Sequence, residues 1–90
     1  MGFSETMKAL SDPARREILN LLKGGSMTAG EIAEKFELSK ATVSHHLSIL
    51  KQAELIVGDK KAQTITYSLN TTVFQDFLRG VAAMLDKEGE

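Results

Sequence analysis

Apolar residues recur at helical spacing in five stretches of this 90-residue chain and at strand spacing in one. Phe3, Met7 and Leu10 mark a first helix. A second starts at Ser11 or Asp12 with Pro13 in its first turn, where a missing amide costs nothing. It directs Ile18, Leu19, Leu21 and Leu22 at a core and stops at Gly24 and Gly25. Thr28 and Glu31 form a capping box ahead of a third helix whose apolar side is Ile32, Ala33 and Phe36. Glu37 and Leu38 then make a turn, and Ser39 caps a fourth helix from Lys40 to about Ala53. From Leu55 to Leu69, two runs rich in β-branched residues flank the polar segment Gly58 to Gln63, which predicts a hairpin with a basic tip. In its second strand Ile65, Tyr67 and Leu69 alternate with Thr64, Thr66 and Ser68, so one face packs and the other is wet. Asn70, with Thr71 and Thr72, opens a last helix carrying a broad apolar stripe.

This order predicts a mainly α fold with a small β-hairpin (α+β). It is a winged helix-turn-helix of about five helices and a two-stranded wing, formed by residues 1–90 as one DNA-binding domain. On a helical wheel of the fourth helix, Val43, Leu47 and Leu50 fall in one sector and His46 lies on its flank, while His45 points away from Val43. The outward side is polar and small-featured, which suits a helix backbone that must approach base edges in a major groove. The candidates for DNA contact are Ser39, Lys40, Ala41, Thr42, Ser44, His45 and Ser48 on this helix, with Lys60, Lys61 and Gln63 on the wing. The competing reading is a solvated polar face and a turn that carries lysines for solubility. Arg15 and Arg16 are phosphate contacts or ion-pair partners of acids such as Asp12, and we prefer the structural role.

A net charge of −1 is unusual for a nucleic-acid partner, but its distribution is uneven. Residues 39 to 61 hold four lysines against Glu54 and Asp59, whereas residues 70 to 90 hold Arg79 and Lys87 against Asp76, Asp86, Glu88 and Glu90. A basic reading face opposite an acidic end predicts moderate affinity and a shallow salt dependence. Ninety residues bury only a modest core. The terminal helices expect a partner surface, with Phe3, Met7, Leu10, Phe74, Phe77, Leu78, Val81, Met84 and Leu85 as the dimer interface. No apolar run approaches the roughly 20 residues that span a bilayer, and the N-terminus lacks a signal peptide's apolar core, so a cytoplasmic protein is expected without stable membrane insertion. The last residues, from about Asp86, are expected to fray. No Ser/His/Asp set, carboxylate pair or glycine-rich phosphate loop is placed for catalysis, so an enzyme is not expected. A protein-docking module would need an apolar patch on the face that here carries Ser44, His45 and Ser48.

The blocks SDPARREIL, SKATVSHHLSILKQAELI and YSLN occur in order between Met7 and Asn70, and in this the chain resembles the ArsR/SmtB family of bacterial winged-helix repressors. The resemblance implies a homodimer on operator DNA, with the helix after Ser39 as recognition helix and the hairpin as wing. Three departures matter. The family's thiolate metal site sits on the helix occupied here by Ala29 to Phe36, yet the chain has no cysteine, which excludes soft-metal and thiol-redox sensing. A second family site uses Asp, His and Glu on paired C-terminal helices, but this C-terminal helix offers Asp76 and Asp86 without a histidine, so no metal or cofactor is expected. At the wing tip, Gly followed by Arg in many relatives is replaced by Ala62 and Gln63, which weakens the contact such an arginine would make. Three routes of release then stay open: a small apolar ligand, a sequestering protein, or a change in protein level. Short relatives of this kind include repressors of their own operons that a membrane partner titrates away. The expectation is therefore autorepression at an inverted repeat on nucleoid DNA, relieved by a protein antagonist.

Overall fold

The computed structural model describes residues 2–88 and orders them as α1 (Phe3–Leu10), α2 (Pro13–Leu22), β1 (Met27–Thr28), α3 (Ala29–Phe36), α4 (Lys40–Gln52), β2 (Ile56–Lys61), β3 (Thr64–Leu69) and α5 (Thr71–Glu88). The caps read from sequence set the helix starts. The Asp12 carboxylate accepts from the Ala14 amide at 2.7 Å, and Thr28 and Glu31 complete their box with bonds of 2.9 and 3.1 Å. Asn70 accepts from the Val73 amide at 3.4 Å. Helices α3 and α4 stop by a shared device. Glu37 and Glu54 take left-handed φ values of 54° and 62°, and the next amides, Leu38 and Leu55, return to Ala33 and Leu50 five residues back. This Schellman-type closure satisfies terminal carbonyls and turns a leucine inward without a glycine.

Among the described residues thirteen apolar side chains form the core, and the fully buried Ile18, Ile32, Val43, Leu47, Leu50, Leu55 and Ile56 draw on α2, α3, α4 and the entry to β2. Each such side chain contributes about 1.5–3 kcal/mol by leaving water, so α3 and α4 are held by the core they share with α2 as well as by the turn between them.

The two-stranded wing forms as expected from β2 and β3, and a third strand joins it. Met27 and Thr28 pair antiparallel with Tyr67 and Thr66, making a three-stranded sheet in the order β1-β3-β2. Two residues are too short a run to show strand periodicity, and Thr28 was legible only as a cap. The polar tip is also shorter than expected. Ladder pairing continues to Lys61↔Thr64, so Gly58 to Lys61 belong to β2 and only Ala62 and Gln63 form the loop. Ala62 takes φ 55° there, the conformation that favours glycine in two-residue hairpin loops. Of the expected packed face, Tyr67 and Leu69 rest on the core, whereas Ile65 lies out along the hairpin and stays 37% exposed.

Helix α5 touches the core through its first turns, by buried Val73 and half-buried Phe74, and then projects away in a molecule 50 Å long and 24 by 22 Å across. The expected fraying concerns residues that, beyond Glu88, lie outside those described; α5 itself continues past Asp86.

The Asp12 carboxyl is held below its ordinary value of 3.8, first by the Ala14 amide and then by the nearby Arg15 guanidinium, against some desolvation. A carboxyl whose pKa is lower when folded favours the folded state above the ordinary range, and that contribution disappears as pH falls through the lowered value. Asp12→Asn keeps a capping oxygen but cannot titrate. We expect its melting temperature to fall less steeply than that of the wild type between about pH 5 and about pH 2; parallel acid limbs would contradict this origin of the shift.

Candidate nucleic-acid interface

Ser39 shapes the start of α4 with two bonds. Its oxygen accepts from the Thr42 amide at 3.1 Å, and its hydroxyl donates to Thr42 Oγ1 at 2.9 Å. Both hydroxyls are thereby oriented, and the Thr42 proton stays available to an acceptor outside the protein. Beyond this cap the helix divides as the wheel predicts. Val43, His46, Leu47 and Leu50 are buried, while Lys40, Ala41, Thr42, Ser44, His45 and Ser48 are exposed. The two neighbouring histidine rings lie 5.8 Å apart and tilted, one facing out and one in.

The wing candidates Lys60, Lys61 and Gln63 are also exposed, but the pleat separates the two lysines. Lys60 pairs with Ile65 and shares the face of Tyr67, whereas Lys61 pairs with Thr64 and shares the opposite face with Asp59. Ile65 and Tyr67 line an open cleft of about 390 Å³ together with Lys40, Ser44, Gln63 and the first turn of α3. The structure therefore brings Lys40, Ser44 and Gln63 around one cleft, with Lys60 on the adjoining face, and leaves Lys61 on the other side. Sequence reading treated the lysines as equivalent because both simply fell in a presumed loop.

Six lining residues were missed as contacts: Thr28, Ala29, Gly30, Thr64, Ile65 and Tyr67. A β-carbon at Gly30 would stand 3.5 Å from Lys40 Cε, in ordinary contact, so the lysine stem lies across the start of α3. The signal was present in the bare glycine after a cap, but its neighbour is ten positions away. Also unread was the fixing of α4 from behind. Arg15 is 8% exposed and its Nη1 approaches His46 Nδ1 at 3.4 Å, while its Nε donates to the Ala9 carbonyl at 2.7 Å. The preference for a structural Arg15 paired with Asp12 holds, at 3.8 Å. Arg16 likewise donates to the Leu10 carbonyl at 2.7 Å.

The apolar set at the other end divides in two. Phe3, Met7, Leu78, Met84 and Leu85 are between 44% and 66% exposed. Leu10 and Phe74 instead pack against the chain's own core, and Phe77 and Val81 are half-buried, with Phe77 stacked on Phe3 at 5.2 Å. Among the described residues no group of three or more His, Cys, Asp or Glu gathers as a metal site, and no helix is long and apolar enough to cross a membrane.

The model of the family described as bacterial regulatory protein, arsR family, matches residues 12–57, from the Asp12 cap to the start of the wing. The transcriptional repressor SdpR of Bacillus subtilis is 57% identical over 84 residues, which cover 93% of each chain. A crystal structure of an ArsR family transcriptional regulator superposes with a TM-score of 0.87 over 97% of this chain and 96% of that one; at 23% identity it speaks for the fold. The homodimeric winged helix-turn-helix DNA-binding domain of a possible ArsR-family regulator from Mycobacterium bovis gives a TM-score of 0.76 at 26% identity, over 97% and 81% of the two chains. With the Asp12 cap, the helix pair and the entry to the wing inside the matched region, and a repressor of 57% identity aligned over nearly the whole chain, the chain belongs to the ArsR family of winged helix-turn-helix transcriptional regulators, which are not enzymes.

Proposed function

We propose that the protein is a homodimeric repressor that acts in the bacterial cytoplasm on an inverted-repeat operator, setting its two α4 helices in successive major grooves about 34 Å apart. The observation that carries this reading is the division of α4, whose inner side is locked into the core while six neighbouring polar or small residues stand free. Repression rather than activation is supported by the likeness to a repressor over nearly the whole chain. Pairing is supported by the exposed leucines and methionines of α1 and α5, and by a structural neighbour that is itself homodimeric.

Thr42, Ser44 and His45 are assigned to base edges, and Lys40, Ser48, Lys60 and Gln63 to phosphates or groove edges. Lys61 is assigned to phosphates on the far side of the wing. The His45 imidazole can exchange a hydrogen bond with a base edge. His45→Ala should relax sequence preference, whereas Lys60→Ala should weaken specific and random duplexes alike, by roughly 0.5–1 kcal/mol. Mobility shifts on the DNA upstream of the protein's own coding sequence, with random duplex as competitor, test both. If the two variants lose specific and random binding equally, the assignment of His45 to bases fails. If the wild type has no preference for any duplex selected from a random pool, the repressor reading itself fails.

For release, we favour autorepression relieved by a protein antagonist, because a chain without cysteine has no thiolate to sense metals or oxidants. A small apolar inducer is the second reading. It is favoured by a groove of about 380 Å³ floored by Leu10, Leu19, Leu69 and Phe74, within the size range of small-molecule sites.

A further inference from the structure

The buried guanidinium of Arg15 lies where three helices meet. Helix α1 ends with carbonyls that lack partners inside the helix, and Arg15 donates to two of them, to Ala9 through Nε at 2.7 Å and, through Nη2 at 3.2 Å, to Lys8, whose oxygen also accepts from the Ser11 amide and hydroxyl. Its remaining arm, Nη1, reaches His46 on α4 at 3.4 Å and Asp12 at 3.8 Å. Arginine can only donate, so Nδ1 of His46 must be the acceptor, which places the ring in its neutral form with the proton on Nε2. Both side chains are more than nine-tenths buried. An unpaired cation at this depth is costly, so the three bonds constrain one another.

We propose that Arg15 is a positioning residue for DNA reading: through neutral His46 it fastens the recognition helix α4 to the C-terminal end of α1, so that the apolar dimer face and the groove-reading face hold a fixed spacing. The inference rests on the dimeric DNA-binding reading and adds the route by which one face sets the other. A dimer that reads two half-sites must keep its two α4 helices at a set separation. Helix α1 carries Phe3 and Met7 of the dimer face along one side and the Arg15-bound carbonyls in its last turn. A shift of α1 against a partner therefore reaches α4 through one buried side chain.

The charged and titratable groups around His46 are Arg15 and Asp12 on α2 and its own neighbour His45. Glu5 and Lys8 on α1 line the groove beside Arg15 and Ile49.

The variants are Arg15→Met, Arg15→Lys, His46→Leu and His46→Asn, the last keeping an acceptor near the Nδ1 position. Specific affinity is measured by fluorescence anisotropy on a duplex selected from a random pool, and dimerisation by sedimentation. We expect Arg15→Met and His46→Leu each to lower specific affinity about tenfold or more, with random-duplex affinity and dimerisation within about twofold, and the double variant to be no worse than either single. His46→Asn should restore most of the loss. Additive losses, or equal losses on random duplex, overturn the proposal. Should Arg15→Met fail to fold, Arg15→Lys and His46→Leu probe the same link from its two ends by amide chemical shifts. Coupling requires His46→Leu to move residues 8 to 11 and Arg15→Lys to move residues 43 to 50. Shifts confined to the mutated helix overturn it even if no duplex is selected, an outcome that by itself would remove only the DNA-binding reading.

Discussion

Leu78→Asp together with Leu85→Asp should convert the protein to a monomer and lower its affinity for a two-half-site operator by roughly 10²–10⁴-fold. The size of the effect follows from linkage: once one half-site is held, the second recognition helix binds at a high effective concentration, and that advantage disappears when the helices separate. The two leucines suit the test because they are 60% and 66% exposed in the single chain. Charging them therefore costs the monomer little packing, while a carboxylate inside an apolar dimer face would be desolvated without a partner. Sedimentation velocity reads the mass, circular dichroism the retained helix, and anisotropy the binding to whole and half operators. Half-site affinity should stay near the wild-type value. A variant that remains dimeric would move the interface away from this face of α5.

Leu50→Ala should destabilise the fold by about 2–5 kcal/mol, the range for removing a buried leucine and leaving a cavity, and so lower the melting temperature by roughly 10–25 °C in a domain of this size. Leu50 is fully buried on the inner side of α4, and its carbonyl also receives the Leu55 amide that closes the helix. Relaxation into the cavity would thus loosen both the recognition helix and the turn into the wing. Small domains have about 5–15 kcal/mol in total, so the loss is a large share of the whole. Val57→Thr, at a position 44% exposed on β2, is the control and should change stability by no more than about 0.5 kcal/mol. Melts at matched protein concentration separate the two, because dimerisation itself raises the transition. Equal effects would mean that the core does not run beneath α4.

The helices were legible because each carries both a cap and a stripe. Asp12 with Pro13, Thr28 with Glu31, and Ser39 all make their expected bonds with residues two or three positions away, and Ile18, Ile32, Val43 and Leu47 face inward as their spacing requires. The outward His45 and inward His46 follow from the same 100° step. Less legible were features set by partners distant in sequence. The short strand at Met27 and Thr28 exists because β3 offers it a free edge. The extension of β2 to Lys61 depends on pairing with Thr64, not on the polarity of its residues. Leu10 and Phe74 look like the other members of their stripes, yet they rest on the core because they lie at the inner ends of α1 and α5.

By itself, then, the sequence determined the five helices, the hairpin, the polar face of α4 and the absence of thiolate chemistry, all of which depend on residue type or on periodicities of two and 3.6. Tertiary structure alone decided which wing lysine shares the face of the cleft between the wing and α4, which apolar residues are left without cover, and that Arg15 joins α1 to His46. Each of these depends on where a twisted sheet or a packed helix carries a side chain in space, and that is set by contacts across 31 positions in the case of Arg15 and His46, far beyond the reach of local spacing.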